Sequence, residues 1–136
     1  MSNARIALIP AYEPDGKLPA LAEQLRRAGF WVWVVDDGSG PAYAPVFDRV
    51  RAAGAEVLSY APNRGKGHAL KTGFAAILAR TSDGVVVTLD ADGQHTPADA
   101  ERVAERALAR PGALTLGVRS FGEGTPLRSR FGNAVT

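Results

Sequence analysis

The chain has no cysteine among its 136 residues. A disulfide framework and a thiolate metal site are therefore excluded, which fits a reducing compartment. No apolar run reaches the roughly 18 residues of a membrane-spanning helix, and the N-terminus has no signal-peptide core. We therefore expect a cytoplasmic protein.

A large excess of one charge is also lacking, since the formal net charge is only +2. Basic residues are scattered rather than grouped with aromatics, and aromatics make up only 7% of the chain. Nucleic-acid binding is therefore not expected. The length and the 46% apolar content suit one domain with a real core.

Apolar runs alternate with segments of helical periodicity, and no hairpin turn separates them. This alternation predicts parallel βαβ units and an α/β fold. Strands are predicted at 5–9, 31–35, 57–60, 85–89 and 113–118. Helices are predicted around the apolar residues Leu18, Leu21 and Leu25, over 44–53, around Leu70, Phe74, Ile77 and Leu78, and over 98–110.

Polar clusters follow all five predicted strands. They are Pro10 to Glu13, Asp36 to Ser39, Asn63 to Gly67, Asp90 to Pro97, and Arg119. The carboxyl ends of parallel strands form one edge of the sheet, and ligands bind at that edge. Carboxylates, glycines, Lys66 and Arg119 together suit a nucleoside diphosphate and a metal ion.

The acidic turn after the fourth strand is the most informative of these clusters. Asp90 and Asp92 are one residue apart, directly after the apolar run 85–89. Two carboxylates this close raise each other's cost of ionisation unless a cation or several hydrogen-bond donors compensate. The pair therefore suggests a divalent metal with oxygen ligands.

Four motifs, in this order, resemble those of the family 2 glycosyltransferases, especially the dolichol-phosphate mannosyltransferase-like branch. The motifs are Pro10-x-Tyr12-Glu13, Asp36-Asp37-Gly38-Ser39, Asn63-x-Gly65-Lys66-Gly67 and Asp90-Ala91-Asp92-Gly93-Gln94-His95-x-Pro97. The resemblance covers nearly the whole chain. It implies a GT-A fold, a Rossmann-like three-layer α/β sandwich with a mainly parallel sheet.

The resemblance also implies a role for each matching residue in binding a nucleoside-diphosphate sugar. Pro10, Tyr12, Glu13 and Asp37 would surround the nucleoside, while Lys66, Gly67 and Arg119 would lie at the phosphates. Asp90, Asp92 and Gln94 would hold Mg²⁺ or Mn²⁺, with Asp90 also at the donor. Asp92 and Arg119 are the expected catalytic residues, because metal and arginine would neutralise charge on the departing diphosphate.

The family's catalytic domain normally continues well beyond 136 residues, through acceptor-binding elements. We therefore expect the fold to be incomplete at its C-terminus, and turnover by this chain alone does not follow. Apolar surface left near the fourth and fifth strands would favour a homo-oligomer.

The acceptor implied by this branch is a polyprenyl phosphate at the cytoplasmic face of a membrane. Its oxygen is already anionic near neutral pH, so a general base is less necessary than for a sugar hydroxyl. Inversion at the anomeric carbon is expected.

Two other classes stay open at this point. Asp90-x-Asp92 after an apolar strand also resembles the haloacid-dehalogenase phosphohydrolases, although later Lys and Asp motifs are missing. A receiver-like signalling domain fits the length and the five βα units, but its acidic pair should follow the first strand. An EF-hand is excluded, because His95 replaces the turn glycine and Pro97 interrupts the loop.

Simpler roles exist for three features. Asp36 to Ser39 can form an Asx-type turn, and Lys66 and Arg119 can be solvated charges at loop and strand ends. Trp31 and Trp33, which alternate with valines, indicate core or a partner surface rather than a sugar platform.

Overall fold

The computed structural model describes residues 4–81, 84–91, 97–108 and 115–118, with the side chains of all except 107, 108 and 115–118. Strands and helices alternate along these ranges, as the sequence predicts. The strands are β1 (Arg5–Ala11), β2 (Trp31–Asp37), β3 (Glu56–Tyr60), β4 (Val85–Thr88) and β5 (Thr115–Val118). The helices are α1 (Lys17–Arg27), α2 (Ala44–Ala52), α3 (Lys66–Leu78) and α4 (Pro97–Leu108), with a short 3₁₀ turn at Pro41–Tyr43.

The five strands form one all-parallel sheet in the order β3-β2-β1-β4-β5. The chain builds the sheet outward from β1 to β3, then returns to the other side of β1 to add β4 and β5. A crevice opens at the carboxyl ends of β1 and β4, where the direction of building reverses. The strand order β3-β2-β1-β4-β5 also differs from the order 2-1-3-4-5 of receiver-like domains.

Helices cover both faces of the sheet. Buried side chains of α1, α2 and α4 pack on one face against residues such as Ile9, Val34 and Val87. On the other face α3 packs against Ile6, Leu8, Trp33, Val35 and Val86. These layers confirm the α/β, Rossmann-like three-layer architecture that is consistent with a GT-A fold.

The continuous apolar runs of the strands arise because both faces are covered. Successive residues of β1 alternate between the two faces: Ile6 and Leu8 face α3, whereas Ala7 and Ile9 face the other helices. All four are fully buried. Burial of such side chains is the main stabilising contribution to the fold.

Two strands extend further than their apolar runs predict. β1 continues through Pro10 to Ala11, and β2 continues through Asp36 to Asp37. Asp36 and Asp37 lie in register with Ser59 and Tyr60 of β3. The Ser59 hydroxyl donates a hydrogen bond to the Asp36 carboxylate, and the Tyr60 hydroxyl donates one to the Asp37 carboxylate. These side-chain hydrogen bonds thus connect β2 and β3 beyond the last apolar residue of β2.

One predicted core residue is wrong. Leu78 is 43% exposed at the end of α3, whereas Leu70, Phe74 and Ile77 are buried as predicted. Leu78 directly follows Ile77, so it points about 100° away from the buried stripe. The predicted end of α4 at 110 lies outside the described residues.

Gly73 of α3 packs against Leu8 of β1 with no room for a side chain. A Cβ at this position would lie 2.4 Å from Cδ1 of Leu8, which is fully buried. We therefore expect Gly73→Ala to destabilise the fold by about 1 to 3 kcal/mol through overpacking. Gly67→Ala on the same helix meets no atom within 4 Å and is expected to be neutral or stabilising by up to about 1 kcal/mol. Urea unfolding of both variants measures the difference, and equal stabilities would contradict this packing.

None of the described helices is both long and apolar enough to cross a membrane.

Candidate functional site

A pocket of about 340 Å³ lies at the carboxyl ends of β1 and β4. Its walls come from the segment that follows β1 and from the first residues after β4. The lining residues are Pro10, Tyr12, Glu13, Pro14, Asp15, Asp90 and Ala91. The pocket therefore occupies the crevice that the strand order creates, where open parallel sheets bind ligands.

Glu13 has an unusual backbone conformation for a residue with a side chain. Its φ is 49°, in the left-handed region that disfavours most residues other than glycine. The Glu13 amide donates a 2.8 Å hydrogen bond to Oγ of Ser39, which follows β2. This contact holds the wall of the pocket in a strained shape, as is common at ligand sites.

Asp36 positions Ser39 for this contact. The Asp36 carboxylate accepts hydrogen bonds from the Ser39 amide at 2.9 Å and from the Ser59 hydroxyl at 3.2 Å. The Asp36 carboxylate thus caps the turn after β2, as the simpler interpretation predicts. The same turn also connects the loop after β2 to the loop after β1, because it holds Ser39 against the Glu13 amide.

Asp37 is the centre of a second network. Its carboxylate is 3% exposed and accepts four hydrogen bonds, over distances of 2.6 to 2.9 Å. The donors are the Tyr60 hydroxyl, the Asn63 side-chain amide, and the backbone amides of Arg64 and Gly65. Asp37 therefore organises the loop between β3 and α3. Its predicted contact with a nucleoside stays a prediction.

Gly38 allows these two loops to meet. A Cβ on Gly38, whose φ is 75°, would lie 2.3 Å from the backbone nitrogen of Asn63. A side chain at this position would therefore push the loop after β3 away from β2.

The hydrogen bonds change the pKa of both partners in this network. Burial raises the pKa of Asp37, but hydrogen bonds from Tyr60, Arg64 and Gly65 outweigh burial and hold the pKa below its ordinary value. For Tyr60, burial and the hydrogen bond to the Asp37 carboxylate raise the pKa well above its ordinary value. Asp37 is thus ionised and Tyr60 neutral near pH 7.

This depressed pKa predicts how stability depends on pH. The folded state favours ionised Asp37, so its contribution is full above the unfolded pKa of about 4 and is lost as pH falls through the lower folded pKa. We expect the stability difference between the wild type and Asp37→Asn to be constant from pH 6 to 8. It should shrink below about pH 4. Urea unfolding across this pH range provides the measurement, and a difference independent of pH would contradict the assignment.

Lys66 reaches across the sheet edge to the acidic turn. Its Nζ lies 2.9 Å from Oδ1 of Asp90, although Lys66 begins α3 and Asp90 follows β4. The two side chains are 56% and 30% exposed. An exposed ion pair of this kind contributes little to stability.

Negative charge dominates the pocket wall. Glu13, Asp15 and Asp90 bring three carboxylates to the lining. Tyr12 is half exposed, and its hydrogen bond to Glu13 and the charge of that carboxylate raise the pKa of its hydroxyl. Tyr12 therefore presents a neutral phenol to the pocket. A diphosphate entering here requires a compensating cation.

The metal prediction can be examined only at Asp90. The described ranges contain no group of three or more His, Cys, Asp and Glu side chains arranged to hold a metal ion. Asp92 and Gln94 lie outside the described residues, as does Arg119. The part that is described fits a hard cation, because Asp90 offers carboxylate oxygens on a partly exposed side chain.

Pro10, Tyr12, Glu13 and Asp90 all line the pocket, and their roles in binding donor and metal stay predictions. Gly67 is the second residue of α3. Asp37, the last residue of β2, is not among the residues that line the pocket. Sequence reasoning missed Asp15 and Tyr60, and it did not predict the contact of Ser39 with the Glu13 amide. The parallel register, which pairs Asp37 with Tyr60, is the signal that could have revealed Tyr60.

Several curated proteins are similar to this chain. An uncharacterised protein of Methanocaldococcus jannaschii is 30% identical over 131 residues, covering 93% of this chain and 52% of that protein. The undecaprenyl-phosphate 4-deoxy-4-formamido-L-arabinose transferase of Aeromonas hydrophila is 32% identical over 122 residues, covering 79% and 36%. The protein of the same name from Sodalis glossinidius is 36% identical over 110 residues, covering 74% and 32%.

This chain spans about half or less of the length of these relatives. The family assignment does not depend on them alone. The model of glycosyl transferase family 2 matches residues 7–133, which include all four motifs and the whole pocket. The chain therefore belongs to glycosyl transferase family 2.

Proposed function

We propose that this chain binds a nucleoside-diphosphate sugar in the pocket between β1 and β4 and belongs to an enzyme that transfers the sugar to a polyprenyl phosphate. The observation that carries this proposal is the position of the pocket. It lies at the topological switch point of the sheet, and motif residues that the family match covers form its walls.

The lining suggests how the donor is oriented. Tyr12 is 51% exposed at the pocket wall, so the face of its ring is available to a base or ribose. The carboxylates of Glu13 and Asp15 are acceptors for ribose or base donors. Asp90, on the opposite wall, lies on the side where the diphosphate would meet Lys66.

Asp90 would hold Mg²⁺ or Mn²⁺ together with Asp92 and Gln94, and the bound ion would neutralise negative charge on the departing diphosphate. Lys66 and Arg119 would add positive charge at the same phosphates. Asp37 would contact the nucleoside, and its hydrogen bonds to the Arg64 and Gly65 amides also fix the loop from which Lys66 extends.

The acceptor proposal rests on the relatives. Two of them are named as undecaprenyl-phosphate transferases, which supports a polyprenyl phosphate for the whole enzyme. Attack by a phosphate oxygen on the anomeric carbon, with inversion, needs no general base near neutral pH. Action at the cytoplasmic face of a membrane and self-association stay predictions.

Calorimetric titration with UDP, GDP and their sugar conjugates, with and without Mn²⁺, tests the donor site. We expect one base to bind preferentially and far more tightly with metal than without it. The phosphohydrolase alternative predicts instead that p-nitrophenyl phosphate is hydrolysed and that Asp90→Asn abolishes this activity. That result, or no binding of any nucleotide, would overturn the proposal.

Tyr12→Ala is expected to weaken nucleotide binding by about tenfold. Stacking of a base on an aromatic ring contributes about 1 to 3 kcal/mol, and half of the Tyr12 side chain is open to the pocket. Tyr12→Phe keeps the ring and is the matched control, with an expected change of less than about twofold. Calorimetry with the preferred nucleotide and Mn²⁺ measures both variants. Equal affinities for Tyr12→Ala and the wild type would exclude stacking.

A further inference from the structure

We infer that Lys66 is an exchangeable counter-cation for Asp90: it occupies the carboxylate when the site is free and moves to the diphosphate when donor and metal bind. This inference rests on the proposed function, because it assumes that Asp90 is a metal ligand. It adds that metal and nucleotide binding are coupled through one lysine side chain.

The first observation is that Lys66 and Asp90 come from different parts of the fold. Lys66 follows β3 and Asp90 follows β4, yet Nζ and Oδ1 are 2.9 Å apart. The ammonium group thus occupies one of the two carboxylate oxygens that Asp90 can offer to a divalent cation. The two cations cannot share this oxygen at such a distance without strong repulsion.

The second observation is that the backbone of Lys66 is fixed while its side chain is free to move. The Asp37 carboxylate accepts hydrogen bonds from the amides of Arg64 and Gly65, immediately before Lys66. The Lys66 side chain itself is 56% exposed. It can therefore change partners by rotation about its own bonds, without rearrangement of the loop.

The third observation concerns the local field. Lys66 is the first residue of α3, and the first turn of that helix contains no acidic residue. A cation at a helix N-terminus is disfavoured by the helix dipole, whereas an anion is favoured. Lys66 is thus poorly compensated by its own helix, and Asp90 supplies the negative charge until an anionic ligand replaces it.

The exchange makes binding cooperative. A diphosphate that attracts Lys66 frees Asp90 for the metal, and a metal that displaces Lys66 frees the ammonium for the diphosphate. Each ligand therefore raises the affinity of the other by the same factor. Without nucleotide, in contrast, Lys66 and the metal compete for the Asp90 carboxylate.

Binding of Mn²⁺ alone, followed by electron paramagnetic resonance, tests the exchange without any turnover. Lys66→Met is expected to bind Mn²⁺ about fivefold more tightly than the wild type in the absence of nucleotide. Lys71→Met, which removes an exposed charge from the same helix, should leave the affinity unchanged. In the presence of UDP or GDP, the increase in Mn²⁺ affinity should be smaller in Lys66→Met than in the wild type, after correction for metal bound by free nucleotide.

The possible failures can be told apart. If Asp90→Asn abolishes Mn²⁺ binding while Lys66→Met binds Mn²⁺ as the wild type does, the exchange is wrong and the proposed metal site stands. A similar gain in affinity for Lys66→Met and Lys71→Met would also overturn the exchange, since net charge alone would explain it. If Asp90→Asn leaves Mn²⁺ binding unchanged, the proposed metal site fails and the exchange fails with it.

Discussion

Chelation of divalent metal with EDTA is expected to weaken binding of the preferred nucleoside diphosphate by about a hundredfold. Three carboxylates line the pocket, so a diphosphate entering it meets negative charge unless a cation intervenes. Bridging by a divalent ion is worth several kcal/mol, and each factor of ten in affinity is about 1.4 kcal/mol. Calorimetry in Mn²⁺ and in EDTA measures the effect.

Asp92→Asn should reproduce the effect of EDTA while the fold stays intact, because it exchanges one polar side chain for another of similar size in a segment that the sequence predicts to be a polar turn. Asp99→Asn, on the next helix, is the matched control for loss of one carboxylate near this turn. Nucleotide affinity that is equal in EDTA and in Mn²⁺ would contradict the metal-dependent site.

Asp37→Ala is expected to lower the free energy of unfolding by about 3 to 5 kcal/mol, among the larger effects for a single substitution. The variant removes the carboxylate that accepts four hydrogen bonds. Its four donors lose this acceptor: the Tyr60 hydroxyl, the Asn63 side-chain amide, and the backbone amides of Arg64 and Gly65. The acceptor is a buried carboxylate and its donors lie in part-buried hydrogen bonds, so water replaces the lost acceptor only incompletely.

Asp48→Ala is the matched control for this loss of stability. Asp48 is an exposed carboxylate on α2 whose partner is Arg51, three residues away, and its removal should cost less than about 0.5 kcal/mol. Urea unfolding of both variants measures the difference. Similar stabilities would show that the Asp37 network does not hold the loop.

The order of strands and helices could be predicted from the sequence because hydrophobic runs and helical periodicity are local signals. The apolar run 85–89 and the stripe through Leu70, Phe74 and Ile77 both correspond to buried elements. The side-by-side order of the strands is less accessible. Periodicity shows which residues are buried but does not say which strands become neighbours.

The candidate site was predictable in its location but less so in its contacts. Four predicted residues meet at the pocket because all lie at or just beyond the carboxyl ends of parallel strands. The hydrogen-bond network of Asp37 was not predictable, since its donors lie 23 to 28 residues away in the chain. A carboxylate at a strand end has the same sequence pattern whether it contacts a ligand or supports a loop.

The Lys66–Asp90 pair shows the same limit. Each residue was predicted at the phosphates or the metal, on the assumption that a ligand is present. The structure adds that the two side chains contact each other at 2.9 Å. Opposite charges that the fold brings to one sheet edge attract each other, so Lys66 and Asp90 form an ion pair.

The most direct test of the donor site is a crystal structure of the chain with Mn²⁺ and the preferred nucleoside diphosphate. We predict nucleoside density between residues 10–15 and the residues that follow β4. The anomalous signal of manganese should lie about 2.1 Å from a carboxylate oxygen of Asp90. Nucleotide bound elsewhere on the sheet edge, or manganese without contact to Asp90, would contradict the account.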